Sequence, residues 1–189
     1  MARPREFSED AAIEGAMRVF WRKGFKATNL PDLLQAMNIT RGSFYKAFTD
    51  KEAVYLRALA HYDQTVVTET VSTLGACEDP DAENCLKLLF APATDRKAGC
   101  FICNAMVEVA PDNPEVAALT LRMSQRITAA IKSVIQSRAP DRSDEELEAS
   151  ADLVMHLYFG FQAVGKASQS QSDWTRRLRR VLPEPRAAS

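Results

Sequence analysis

Two groups of side chains in this sequence have types and spacing suited to chemistry. Cys100 and Cys103 stand one helical turn apart in the run Asp95-Arg96-Lys97-Ala98-Gly99-Cys100-Phe101-Ile102-Cys103-Asn104. A thiol at a helix N-terminus, just behind Lys and Arg, has its pKa lowered and becomes nucleophilic or oxidisable, so Cys100 is a candidate reactive thiol. Phe101, Ile102, Ala105 and Met106 surround the pair with apolar residues, which equally suits a cysteine serving only as a small buried hydrophobe. A lone CxxC with only His61 and His156 elsewhere falls short of a four-ligand zinc site, and neither metal nor cofactor is expected. A cysteine-dependent enzyme pairing Cys100 with either histidine is a rival reading, but no catalytic spacing supports it. The second group is Thr40, Arg41, Ser43, Tyr45, Lys46 and Lys51, hydroxyls and cations that bond phosphates and base edges.

The chain that must position these groups has 189 residues, 46% hydrophobic and 26% charged, which suits one or two globular domains rather than a disordered protein. Lys and Arg number 24 against 25 Asp and Glu, so no overall basicity announces nucleic acid or an acidic membrane. The N-terminal end is nonetheless the more basic part. No apolar run approaches the roughly 20 residues of a spanning helix, and Met1 to Asp10 lacks the apolar core of a secretory signal. The expectation is a cytoplasmic protein with no membrane partner. In that setting Cys77, Cys85, Cys100 and Cys103 would be thiols, and any disulfide a switch rather than a staple.

Gly and Pro are sparse and apolar residues recur every three or four positions, which predicts an all-α chain of about nine helices. Ser8 caps a first helix whose stripe is Ile13, Ala16, Met17 and Phe20, ending near Gly24. A short second helix carries Leu30, Leu33, Leu34 and Met37, with Pro31 in its first turn and Asn38 at its end. Thr40 caps a third, from Arg41 to about Phe48, and Asp50 a fourth that runs to about Leu74. Further helices are expected at about 81–93, 101–110, 113–138, 143–168 and 171–182.

Two short helices joined by Met37-Asn38-Ile39-Thr40, after a longer helix, make a helix-turn-helix candidate. The runs Gly24-Phe25-Lys26-Ala27-Thr28, Asp32 to Tyr45 and Phe48-Thr49-Asp50-Lys51-Glu52-Ala53 closely resemble the N-terminal DNA-binding domain of TetR-family transcriptional repressors. Asn38 stands where that family usually has Gly, and it accepts the same backbone region. The resemblance covers about 45 residues. It implies a helix-turn-helix domain over 1–50 and a helical effector-binding and dimerisation domain over 51–189. It also implies a homodimer on a palindromic double-stranded operator, released by a small hydrophobic or electrophilic effector or by cysteine modification. A helical module that binds protein rather than DNA is the alternative.

On this reading Thr28, Thr40, Arg41, Gly42, Ser43, Phe44, Tyr45, Lys46 and Lys51 are the candidate DNA contacts, with Gly42 allowing close backbone approach. Phe44 is read first as core or groove rim and only second as a base contact. Arg3 and Arg5 are either a minor-groove arm or a solvated tail. The 143–168 helix is apolar on two faces, Leu147-Ala151-Val154-Tyr158-Phe161 and Leu153-Leu157-Val164, so both faces must be buried. The expected dimer interface is Val154, Leu157, Tyr158, Phe161, Trp174 and Leu178. Effector or sensor candidates are Cys100, Cys103, His61, Tyr62, Phe101, Met106, Met123 and Tyr158, with Phe159 beside them. The Gly-Cys run with Asn104 resembles a TetR subgroup that includes cysteine-based sensors of electrophiles and oxidants.

Overall fold

A computed structural model describes residues 8–91, 98–165 and 174–182. Among these the chain forms α1 (Glu9–Lys23), α2 (Leu30–Met37), α3 (Arg41–Ala47), α4 (Lys51–Tyr62), α5 (Thr68–Gly75), α6 (Ala82–Leu86), α7 (Phe101–Glu108), α8 (Pro114–Gln136), α9 (Asp144–Gly165) and α10 (Trp174–Val181), with no strand. A π-helical turn, Asp63–Val67, joins α4 to α5 as one rod, which brings the described helices to nine. Periodicity anticipates the rod but not the extra residue per turn inside it. Arg126 on α8 holds that turn, pairing with the Asp63 carboxylate and donating to Thr68 Oγ1 at 3.0 Å.

Local chemistry sets the helix ends. Ser8 Oγ accepts from Ala11 N–H, and Gly24 stops α1 at φ +83°. Asn29 and Asp32 form a reciprocal capping box on α2, and Asn38 takes the left-handed conformation (φ 53°, ψ 44°) that the turn requires. Thr40 and Asp50 accept from the third residue of α3 and α4 in the same way. Each such cap is worth about 0.5–2 kcal/mol.

Helices α1 to α4 share a core built on Phe20, Leu33, Met37, Phe44, Tyr55 and Leu59, all buried. Gly15 is indispensable there. A Cβ on it would lie 2.2 Å from the Ala36 carbonyl oxygen, so α1 and α2 cross closely only because that position has no side chain. The larger bundle is centred on α8, whose Val116, Met123, Ile127, Ile131 and Val134 are buried against α4, α5, α7 and α9.

Cys77 and Cys85 form a disulfide, with Cα atoms 5.8 Å apart, where four thiols were expected. The loop after α5 turns back on itself and brings together two cysteines that the sequence leaves separated by eight positions. The expected helix at 81–93 becomes α6 followed by a 3-10 turn, Lys87–Phe90, before residues outside the description.

Candidate nucleic-acid interface and effector region

The sequence of α3 places one aromatic ring inward and its polar groups outward. Phe44 is 1% exposed and packs edge-on against Tyr45 and at a tilt against Phe48, so it is core and no base contact. Arg41, Gly42, Tyr45 and Lys46 lie on the outer surface with Thr40, and Ser43 is half-buried beside it. Thr40 Oγ1 and Ser43 Oγ are 3.0 Å apart and share a hydrogen bond. Around Gly42 a Cβ would meet only Thr40 Oγ1, at 3.9 Å. The chain's own packing therefore does not require glycine there, and the space above it is open to an approaching partner.

Two expected phosphate contacts belong to the fold instead. Thr28 is 1% exposed and its hydroxyl donates to the Gly24 carbonyl at 2.6 Å, closing the α1–α2 loop from inside. Lys51 donates to the carbonyls of Phe25 and Thr28, each at 3.0 Å, and lies over the Phe25 ring. Its ammonium clamps that loop onto α4. The physical reason is common to both: the α1–α2 connection leaves carbonyls without helical partners, and these two side chains satisfy them. Arg3 and Arg5 lie outside the described residues.

Helix α7 starts just after Cys100, whose side chain makes no capping bond, and its N-terminal residues are sealed in the core. Cys100 is 2% exposed. Burial pushes its thiol above the ordinary value, against the lowering that a helix N-terminus alone would give, while Tyr158 acts the other way by hydrogen bonding. Tyr62 also engages this thiol, and burial raises both tyrosines well above their usual range. Lys97 and Arg96, expected to assist ionisation, lie outside the described residues. Cys103, half-buried, is the more accessible sulfur.

Of the effector candidates, Cys100, Tyr62, Phe101 and Tyr158 come together. Phe101 packs edge-on against Tyr62 and Tyr55, and Trp21 of α1 against Tyr62. Met123 is fully buried, whereas His61 and Met106 are half-buried. A groove of about 380 Å³ runs between the end of α1, α7 and α9, lined by Trp21, Lys23, Cys103, Val107, Glu108 and Gln162 among others. A second, of about 240 Å³, lies between α5 and the Lys87–Phe90 turn and reaches Tyr158.

Residues that the sequence reading missed stitch α7 to the N-terminal helices. Trp21 Nε1 donates to the Gly99 carbonyl at 2.8 Å, next to Cys100. At the other end of α7, Glu108 accepts from the N–H groups of Phe25 and Lys26, each at 2.8 Å. A Cβ on Gly24 would lie 2.7 Å from that carboxylate. No local sequence signal marks Glu108, because its partners are backbone groups more than eighty positions away.

For the dimer candidates the structure divides the list. Val154 and Leu178 are fully buried within their own chain and cannot face a partner. Leu157, Tyr158, Phe161 and Trp174 are half-buried, and Phe90 stacks on Trp174 with centroids 4.0 Å apart. Leu153 and Val164 on α9 and Leu121 on α8 are exposed. Among the described residues no helix is long and apolar enough to cross a membrane, and no group of His, Cys, Asp and Glu could hold a metal ion.

The family described as bacterial regulatory proteins, tetR family, matches residues 12–58, the segment holding most of α1, all of α2 and α3 and most of α4. Residues 12–58 thus carry the DNA-binding domain typical of TetR-family transcriptional regulators. The HTH-type transcriptional repressor ComR of Escherichia coli (strain K12) is 33% identical over 121 residues, 61% of this chain and 57% of its own length. The aligned stretch thus spans little more than half of ComR. BdcR, a HTH-type transcriptional repressor of the same strain, is 26% identical over 171 residues, 89% of this chain and 84% of its own length. A cysteine mutant of the TetR-family regulator CifR, solved with 26-bp double-strand operator DNA, superposes with a TM-score of 0.77 at 24% identity, covering 95% of this chain and 98% of its own. That likeness extends the TetR fold beyond the N-terminal domain, over nearly the whole chain.

Proposed function

We propose that the whole chain is a TetR-family regulator, a cytoplasmic transcriptional repressor that binds a palindromic operator as a homodimer. The observation that carries the reading is the outer face of α3, where Arg41, Tyr45 and Lys46 surround a glycine that the fold itself does not need. Arg41 and Lys46 neutralise phosphates, Tyr45 and Thr40 offer hydroxyls at the groove edge, and Gly42 lets the backbone approach. The domain boundary falls near residue 50, with α4 serving both parts through Tyr55, which meets Phe20 of α1 and Phe101 of α7. The apolar residues that α8 and α9 leave exposed, Leu121, Leu153 and Val164, supply the dimer face.

Release follows from the way α7 is held. A small apolar or electrophilic effector that enters beside Tyr62, Cys100 and Tyr158, or modifies Cys103, displaces α7. Through Trp21 and Glu108 that displacement moves the α1–α2 loop and with it the reading helices. Operator affinity falls by the effector's differential affinity for the two arrangements. The role needs no turnover chemistry.

Selection of bound duplexes from random DNA tests the reading. A two-fold symmetric sequence should emerge with half-sites about one helical turn apart, and affinity should fall steeply with salt. Failure to retain any duplex at low ionic strength would refute it.

A further inference from the structure

We propose that Cys77–Cys85 is a thiol–disulfide exchange site for a low-molecular-weight thiol couple, with Cys77 as the sulfur attacked and Cys85 as the thiolate released onto Arg138. Three features set the two sulfurs apart. Cys77 lies half-buried in the loop after α5, so solvent reaches it, whereas Cys85 in α6 is fully buried. Arg138, just past the end of α8, brings Nη2 to 3.2 Å from Cys85 Sγ. That guanidinium is fixed in place, because Nε and Nη2 donate to the Asp79 carbonyl at 2.9 and 2.6 Å and Nη2 also to the Cys77 carbonyl at 2.8 Å.

The step balances without any further reagent. An incoming thiolate attacks Cys77 Sγ, the Cys77–Cys85 bond breaks, and its electron pair leaves on Cys85 Sγ beside the cation. The product is a mixed disulfide on Cys77, and a second thiolate frees Cys77 while the small disulfide departs. In reverse, Cys85 thiolate attacks the mixed disulfide at Cys77 and expels the small thiolate. A leaving thiol whose thiolate is stabilised departs faster, and a cation beside it stabilises the dithiol state relative to the disulfide.

The bridge holds a segment on which α10 depends. Glu83 of α6 pairs with Arg179 at 2.8 Å, and Phe90 stacks on Trp174. Helix α8 runs 23 residues, or about 35 Å, from its start beside Glu52 of α4 toward this site.

The full-length chain is treated with reduced glutathione, and disulfide loss is followed by intact mass and peptide mapping in wild type and Arg138→Met. The proposal expects reduction to slow severalfold in Arg138→Met. A purely structural Arg138 would make the loop open more readily, so faster or unchanged reduction overturns the assignment. Two further variants fix the direction of attack under glutathione disulfide. Cys85→Ser should accumulate glutathione on Cys77, and Cys77→Ser should leave Cys85 unmodified. Equal labelling of Cys85 sinks the asymmetry. Amide exchange in α6 and α10 should rise several-fold on reduction, and unchanged exchange would show that the bridge restrains neither.

Discussion

Helices α3 and α7 are nearly the same length, and each carries residues that the sequence marks for chemistry, yet they are built oppositely. In α3 a single buried ring, Phe44, anchors a surface of polar groups with few duties inside the fold. In α7 Cys100, Phe101 and Ile102 are themselves core, and its flanks, Gly99 and Glu108, hydrogen-bond across to α1 and its following loop. A residue type that folding does not demand is evidence of an outside partner. A buried thiol among aromatics is demanded by packing whether or not it also senses anything.

The sharpest way to break this contrast is to remove the anchor of α3. Phe44→Ala should cost about 3–5 kcal/mol of stability, as a large ring leaves a cavity in the small N-terminal core, while Tyr45→Ala should stay within about 0.5 kcal/mol. Denaturant unfolding checks both. If the two behave alike, α3 is not divided into an anchor and a reading face.

The next effect tests whether α7 speaks to α3. Alkylation of the wild-type thiols should change operator affinity by about fivefold or more, the lower range of ordinary allosteric coupling. Glu108→Ala removes the acceptor for the Phe25 and Lys26 amides, so the same alkylation should then leave affinity nearly unchanged. A fluorescence-anisotropy titration of each protein, alkylated and not, reads this directly. An undiminished response in the variant would mean that Glu108 transmits nothing.

Two lysines sharpen the comparison within the N-terminal domain. Lys46→Ala should reduce the slope of log affinity against log salt by about 1 and leave stability alone. Lys51→Met should do the reverse, costing about 1–3 kcal/mol because the Phe25 and Thr28 carbonyls lose their donor. Thermal melts together with binding at several salt concentrations separate them.

These contrasts also explain what could be read from the sequence. The all-α class, the caps at Ser8, Thr40 and Asp50, and the left-handed Asn38 follow from local rules, so they are legible. Arg41 and Lys46 are legible as surface cations for the same reason. Thr28 and Lys51 are not, because a hydroxyl or ammonium reads alike whether it meets a phosphate or a loop carbonyl. The clash that forbids a side chain at Gly15, the Cys77–Cys85 bridge and the Glu108 clamp depend on how the chain returns on itself, which periodicity does not encode. Val154 and Leu178 were expected at the dimer face because an apolar stripe looks the same whichever neighbour buries it.

The smallest expected effect concerns which α7 thiol reacts, and it opposes the intuition that a helix N-terminus activates Cys100. Burial raises that thiol, so folded Cys100 keeps its proton at pH values where the unfolded chain, titrating near 9.0, gives it up. Tyr62, raised in the same way from 10.0, adds to this at higher pH. A raised folded pKa contributes stability that is complete below the unfolded value and lost as pH climbs toward the folded one. Chemical denaturation should therefore report constant stability from these groups below about pH 8.5 and a decline above it, and Cys100→Ala should flatten the first part of that decline. Iodoacetamide near neutral pH should label half-buried Cys103 well before Cys100. Faster labelling of Cys100 would mean that its shell opens on the timescale of the reaction, and would make α7 an exposed sensor comparable in kind to the surface of α3.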